Sequence, residues 1–391
     1  MSKIDNLLKE LCPKGVGLKT ICSICNVSRG RVMSKDYLRD NVGEFPVYSS
    51  QTASNGVFGK INTYDYDGEY ITWTTDGANA GSIFYRTGKF SVTNVCGLLK
   101  VNEPNVDSRF LAYILGSVAK KYVSSGMGNP KLMSNVMSSI KVPIPPIEVQ
   151  KEVVNILDKF TQLEAELSAE LSARRNQYDF YRNQLLTFEQ QDSQRERDVK
   201  WLRLEDIAMY SRTRISASDI NCDNYVGVDN LLQNRQGKTI SGHVPKLGNL
   251  THYKIGDILL GNIRPYLKKI WHANNIGGTN GDVLVIRVKE ERKQDIRSDY
   301  LYHILASDNF FAYNMNNSKG AKMPRGDKAA IMRYGIPVPP VSEQSKIVSI
   351  LTKFNILVNS ISEGLPAEIN ARHQQYEYYR SKLLTFQEIT V

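Results

Sequence analysis

Four cations in the stretch NSKGAKMPRGDKAA, Asn317 to Ala330, stand among glycines: Lys319, Lys322, Arg325 and Lys328 around Gly320 and Gly326. Cations beside glycines suit a loop whose backbone comes close to phosphate oxygens. The stretch SSGMGNPKLMSN, Ser124 to Asn135, holds Ser125, Asn129 and Lys131 in the corresponding place of the first half of the chain. Two further stretches carry guanidinium forks and amides of the kind that pair with guanine and adenine edges. These are GNIRPYLKK, with Arg264, Tyr266, Lys268 and Lys269, and DNLLQNRQ, with Asn230, Gln233 and Arg235. In the first half, PVYSSQTASNG supplies Tyr48, Gln51 and Asn55. Any one of these side chains can equally cap a turn or hold a phosphate, so no base is assigned to any of them.

Catalytic and metal chemistry finds no matching pattern. An adenine methyltransferase needs Asn or Asp ahead of Pro-Pro and an aromatic residue, whereas Pro145-Pro146 follows Ile144 and Pro339-Pro340 follows Val338. The phosphate cradle G-x-x-x-x-G-K-[ST] does not occur. His243, His252, His272, His303 and His373 are scattered, and Cys22-x-x-Cys25 has no second pair at finger spacing, so no metal site is expected. Five cysteines, an odd number, read as reduced thiols rather than a disulfide framework.

Length and charge set the frame for these residues. A chain of 391 residues is long enough for two or three domains. Its net charge of +10 is scattered rather than gathered in a tail, which suits a polyanion held in a broad groove. No apolar run approaches the ~18 residues of a membrane span, and MSKIDNLLKEL lacks the apolar core of a signal peptide. A cytoplasmic location away from membranes is therefore expected.

The elements that must position the candidate residues are duplicated. IPPIEVQKEVVNILDKF, Ile144 to Phe160, returns as VPPVSEQSKIVSILTKF, Val338 to Phe354, at an offset of 338 − 144 = 194. ARRNQYDFYRNQLLTF, Ala173 to Phe188, returns as ARHQQYEYYRSKLLTF, Ala371 to Phe386, at 371 − 173 = 198. Between the front edges and the proline pairs the texture is β-rich, as in GEYITWTT and GDVLVIRV, with helical patches late in each module. The fold class is thus α+β, with two repeated mixed modules, residues 1–144 and 191–338, each followed by a helical spacer, 145–190 and 339–391.

Each proline pair ends a module and sets a helix start just after it. The spacers carry apolar seams: Leu157, Phe160, Leu167, Leu171, Tyr178 and Tyr181 in the first, and Leu351, Phe354, Val358, Ile361, Tyr376 and Tyr379 in the second. Gly364 and Pro366 should kink or interrupt the second. Helices of about 60 Å with one apolar seam need a partner, and the nearest is the other copy, antiparallel about a pseudo-two-fold axis. LLTFQEITV read on into MSKIDNLLKEL resembles the join after the first spacer, so the arrangement looks circular. The tyrosines are expected to fill the seam, with a docking surface as the alternative use.

Over essentially its whole length the chain resembles the specificity subunit of type I restriction-modification enzymes. The resemblance rests on the two P-P-[IV]-x-x-Q starts at Pro145 to Gln150 and Pro339 to Gln344, the two QY-x-[FY]-YR-x-x-LLTF endings, and the tandem AELSAELS at Ala165 to Ser172. WTTDGANAG and YVGVDNLL look like phrases of that family's target recognition domains. The resemblance implies a DNA-reading scaffold without an active site or bound cofactor of its own. Each module would read one half of a bipartite site on double-stranded DNA, and the helices would set the gap. Two modification subunits would supply S-adenosylmethionine-dependent adenine methylation, and two motor-nuclease subunits would use ATP and Mg. The alternative is a stand-alone architectural DNA-binding protein with a coiled coil and no methyltransferase partner.

Overall fold

The structure, a computed structural model, describes residues 3–124, 128–188, 199–359 and 363–389. Ser125 and Ile361 among the expected residues lie outside them. The chain divides into two units, residues 1–166 with 370–391 and residues 167–369.

The first unit runs α1 (Lys3–Leu11), β1 (Leu18–Thr20), α2 (Ile21–Ile24), β2 (Cys25–Arg29), α3 (Lys35–Asp40), β3 (Val42–Tyr48), β4 (Val57–Ile61), β5 (Tyr66–Asp67), β6 (Tyr70–Thr74), β7 (Ile83–Arg86), β8 (Lys89–Val92), β9 (Cys96–Val101), α4 (Ser108–Val118), α5 (Ser134–Ser139) and β10 (Lys141–Pro143). The helix α6 (Ile147–Leu186) gives its first half to this unit and its second half to the next. The second unit continues with β11 (Lys200–Arg203), α7 (Leu204–Ile207), β12 (Ala208–Tyr210), β13 (Arg214–Ser216), β14 (Tyr225–Val226), β15 (Asn249–Tyr253), β16 (Ile258–Gly261), β17 (Ile270–His272), β18 (Gly277–Thr279) and β19 (Val283–Val288). It closes with α8 (Ser298–Leu305), α9 (Asp308–Asn316), α10 (Lys328–Met332), β20 (Gly335–Val338) and α11 (Val341–Asn359), and α12 (Gly364–Leu383) then returns to the first unit from Asn370.

One sheet of each module repeats and the other does not. The order β2-β9-β6-β7 in the first unit has its counterpart in β12-β19-β16-β17 in the second, all antiparallel, and the small pairs β1-β10 and β11-β20 also match. In the remaining sheets β8 and β18 each have one parallel neighbour, β3 or β14, and one antiparallel neighbour, β5 or β15. The first unit then adds β4 beyond the parallel neighbour, and the second adds β13 beyond the antiparallel one.

Period-two alternation divides the repeated sheet between two cores. In the second unit Ile258, Leu260, Leu284 and Ile286 face α8 and α9, while Leu259, Val283 and Val285 join Tyr253 and Trp271 on the other side. In the first, Leu99 packs with Phe110 and Ile114 of α4, and its neighbour Leu98 packs with Phe90 and Val92. Burial on both faces explains why these strands read as unbroken apolar runs.

The proline pairs act as expected: α6 starts right after Pro146 and α11 right after Pro340. The glutamine four residues past each pair's end is fully buried and makes the same three bonds in both units. Gln150 Nε2 donates to the carbonyls of Pro145 (2.7 Å) and Asn105 (2.8 Å), and its Oε1 accepts from Asp107 N–H (2.9 Å). Gln344 Nε2 donates to Pro339 (2.8 Å) and Asp295 (2.8 Å), and its Oε1 accepts from Arg297 N–H (3.0 Å). Asp107 and Arg297 are the N-cap residues of α4 and α8, so each glutamine ties a spacer helix to its module. Gln344→Ala removes one buried and two part-buried hydrogen bonds to the backbone and is expected to cost the second unit about 2 to 3 kcal/mol. A urea titration checks this, and an unchanged midpoint would remove the clamp from the stability of the unit.

The seam closes each unit with the end of the other spacer. In the first, Phe160 stacks on Tyr379 (5.5 Å between centroids) beside Tyr376 (6.4 Å), and Glu164 pairs with His373 (3.2 Å). Positions rise in one helix as they fall in the other, so the two segments are antiparallel. In the second, Phe354 stacks on Tyr181 (5.7 Å) and Tyr178 (6.3 Å). Leu157, Leu351 and Val358 are fully buried, and Leu171 packs on the second unit's core. Leu167 is part-exposed.

The end of the second spacer meets the start of the first module, where Val16 N–H donates to Gln387 O (2.8 Å) and Leu384 and Phe386 enter the core. The second spacer is interrupted: α11 ends at Asn359 and α12 begins at Gly364, whose φ of +74° breaks the helical run.

His303 lies in the α8 core, 4% exposed, and burial lowers its pKa to about 4. The unfolded chain takes up that proton near pH 6.5 and the folded one does not. Stability of the second unit should therefore fall by about 3 kcal/mol as the pH drops from 6.5 to 4. Thermal melts of His303→Leu should show a shallower loss over that window; an equal slope would place the titration elsewhere.

Candidate nucleic-acid interface

Strand direction gathers the candidate loops at one edge of each module. In the second unit Val226 of β14 pairs parallel with Thr279 of β18, and Thr251 of β15 pairs antiparallel with it. Chain leaving β14, entering β15 and leaving β18 therefore meets at the same edge. β16 and β19 meet at Gly261 and Val283, which brings Asn262–Arg264 there too: Asn262 N–H donates to Asp282 O (2.8 Å). The cationic loop closes over this edge. Lys319 and Arg325 exchange backbone bonds at 2.9 Å each, Arg325 pairs with Ile263 as an antiparallel bridge, and Arg264 N–H donates to Pro324 O (2.8 Å).

The first unit builds the same edge. Tyr48 of β3 pairs parallel with Val92 of β8, and Thr93 Oγ1 donates to Ser49 Oγ (2.9 Å), so the loop carrying Gln51 and Asn55 starts there. Thr75 N–H donates to Val95 O (3.2 Å), Gly77 N–H to Pro130 O (3.0 Å), and Asp76 bridges to Lys131 as Ile263 bridges to Arg325. Since 325 − 131 = 194, the repeat offset, the two loop closures are counterparts.

The exposed candidates sit on these edges. Arg264 is exposed and left-handed (φ 53°) although a proline comes after it, a conformation held by the Pro324 bond. Tyr266, Lys322 and Lys328 are exposed; Lys319 reaches Asp327 at 2.7 Å and Arg325 reaches Asp282 at 3.3 Å. Lys319 holds the Asp327 carboxyl down at about 2. In the first unit Asn55 and Asn129 are exposed, and Lys131 lies 3.9 Å from Asp76. Gln233 is exposed on its own turn.

Other candidates are committed inside the protein. Asn230 is 4% exposed: its Oδ1 accepts from Gly227 N–H (2.7 Å) and its Nδ2 donates to Tyr225 and Thr239 carbonyls (3.0 and 2.9 Å). Arg235 and Lys268 turn to Asp308 at the start of α9, which also takes Arg182 of α6 (2.9 Å). Burial pushes the Asp308 carboxyl up, but Lys268, Arg235 and Arg182 outweigh it and hold it at about 2. Lys269 donates to Val228 O (2.5 Å), and burial lowers its pKa. Tyr48 lies 3.6 Å under the buried Arg86 guanidinium, and Gln51 Nε2 donates to Val57 O. Each of these six contacts its own protein, and Asn230 is the one with its whole side chain buried. Sequence reasoning misses Asp76 and Asp282, the acids that orient Lys131 and Arg325; WTTDG is the only signal for either.

The arrangement is a pair of repeated loop edges with exposed cations and amides, the second unit the more basic. Among the described residues no group of His, Cys, Asp and Glu is placed to hold a metal, and no helix is long and apolar enough to cross a membrane.

Comparison with known proteins gives a consistent family. A model of the type I restriction modification DNA specificity domain matches residues 13–173 and 196–371. A putative type I specificity subunit of Mycoplasma pneumoniae is 31% identical over 378 residues, covering 94% of this chain and 97% of that protein. The specificity subunit of the type I restriction enzyme MpnII from the same organism is 42% identical over 172 residues, 43% of this chain and 52% of that one. In fold, the crystal structure of a type I restriction-modification S subunit from M. genitalium superposes with a TM-score of 0.61 at 12% identity, covering 94% of this chain and 96% of that chain.

Proposed function

The chain belongs to the family of type I restriction-modification DNA specificity subunits, and on that premise we propose that its two loop edges each read one half of a bipartite site in double-stranded DNA. The observation that supports this most is the matched loop closure, Lys131 on Asp76 and Arg325 on Ile263, built by the repeated frame around different side chains. A repeated frame gives both modules the same approach to a duplex, and different loops give them different sequences to read. The exposed residues Asn55, Asn129 and Lys131 in one unit, and Arg264, Tyr266, Lys319, Lys322, Arg325 and Lys328 in the other, carry the contacts.

The spacers fix the gap between half-sites and dock two modification subunits. Phe180 and Tyr378, 378 − 180 = 198 apart, are 63% and 62% exposed, one on each repeat ending. An exposed aromatic on each copy suits two copies of one partner. Motor-nuclease subunits join through that assembly. S-adenosylmethionine, ATP and Mg are used by the partners in the cytoplasm, and this chain binds no cofactor.

Mapping methylated adenines across the genome with and without this chain tests the reading. One bipartite motif should disappear with the chain. An unchanged map, together with purification free of any methyltransferase, would leave a stand-alone DNA-binding protein.

A further inference from the structure

We propose that Asn262, Asn314 and Gly326 form a buried seat that locks the two loops of the second unit's edge to each other and so sets which second half-site the chain accepts; the proposal rests on that edge facing DNA. Among the described residues, five buried side-chain polar atoms have no hydrogen-bonding protein partner, and three belong to this seat: Asn262 Oδ1, Asn314 Nδ2 and Asn314 Oδ1. The two side chains are 6% and 1% exposed. Gly326 passes between them. A Cβ at that position would lie 2.4 Å from Asn314 Oδ1 and 2.8 Å from Asn262 Oδ1.

The glycine is required by space, not by a left-handed backbone, since its φ is not among the positive ones. Its sequence context suggests a backbone open to phosphate, whereas it is buried and walled by amides. One wall is fixed by α9, whose Phe310 and Phe311 anchor it in the core, and the other comes directly after β16. Gly326 N–H donates to Asn262 O (3.1 Å), and the adjoining residues carry the exposed cations: Arg325 is one residue back, and Arg264 is braced on Pro324. Amides that make no protein hydrogen bond cost stability when buried, so their placement points to positioning rather than to holding the fold. Any growth at 326 drives the cationic loop off Asn262 and moves Arg325 and Arg264 together.

The test uses the full chain with its co-purified methyltransferase and a duplex carrying the site found by methylation mapping. Gly326→Ala should weaken binding to that duplex about tenfold, the scale of one mismatched base pair. Binding to a duplex with the second half-site scrambled should be unchanged. Asn314→Ala should leave the melting temperature unchanged or raised, because no protein hydrogen bond is lost. The double variant Gly326→Ala with Asn314→Ala should regain part of the affinity, since the new methyl takes the space of the nearer amide and is left against Asn262 Oδ1 alone of the two.

Wild-type affinity for Gly326→Ala, or a double variant no better than Gly326→Ala alone, would overturn the seat. Arg264→Ala separates the two levels. If it weakens binding while Gly326→Ala does not, only the seat fails; if it has no effect, the DNA-facing edge fails with it.

Discussion

Replacing Arg264 and Arg325 together by alanine should lower affinity for the cognate site by about 100-fold, with discrimination lost at the second half-site and kept at the first. Each residue is exposed at the loop edge, and a good bidentate base contact contributes about 1 to 3 kcal/mol, so two of about 1.4 kcal/mol each give that factor. Neither side chain supports the core: Arg264 makes no side-chain bond among the described residues, and Arg325 reaches only Asp282. Melting temperature should therefore hold. Salt dependence tells the roles apart, because a lost phosphate contact reduces the slope of log K against log salt by about 1 and weakens all sequences alike. Discrimination retained at the second half-site with a shallower slope would make these residues phosphate contacts.

Deleting Ala169 to Ser172, one AELS unit, should shorten the unread gap by a base pair or so and leave both half-site sequences unchanged. The deletion removes about 6 Å of helix and turns the remainder of α6 by about 40°. It falls where α6 passes from one unit to the other, in a stretch where Leu171 packs on the second unit's core. The clamps at Gln150 and Gln344 and the Phe160 and Phe354 stacks lie outside it, so each unit keeps its own interior. Methylome mapping of the variant decides the matter. An unchanged gap at full activity would take the ruler role from α6, and altered half-sites would mean that the helix itself reads bases.

The repeat, the helix starts, the seam and the circular join are legible in the order of amino acids alone. Those features are written in local or periodic signals: a proline pair cannot sit inside a helix, a heptad seam needs a partner, and two copies at offsets of 194 and 198 specify where that partner lies. Phe160, Tyr178, Tyr181, Phe354, Tyr376 and Tyr379 are seam residues that such signals suffice to name, and the structure pairs Phe160 with Tyr376 and Tyr379 and Phe354 with Tyr178 and Tyr181. The burial of Gln150 and Gln344 is hidden in the same motif, because each glutamine reaches a carbonyl far back in the chain, 45 and 49 residues away.

Which polar residues face outward is settled only when the chain is folded. Arg235, Lys268 and Arg264 look alike in sequence, yet two are drawn to Asp308, 73 and 40 residues further on, and one is left exposed. Asn230 resembles a base reader until Gly227, Tyr225 and Thr239 fold around it. A polar side chain satisfies its bonds with whatever the topology brings within about 3 Å, and that neighbourhood is set by the parallel pairing of β14 with β18 and β3 with β8. Strand order is a long-range property: the second sheet grows on opposite sides in the two units although the first sheet and the helix starts repeat.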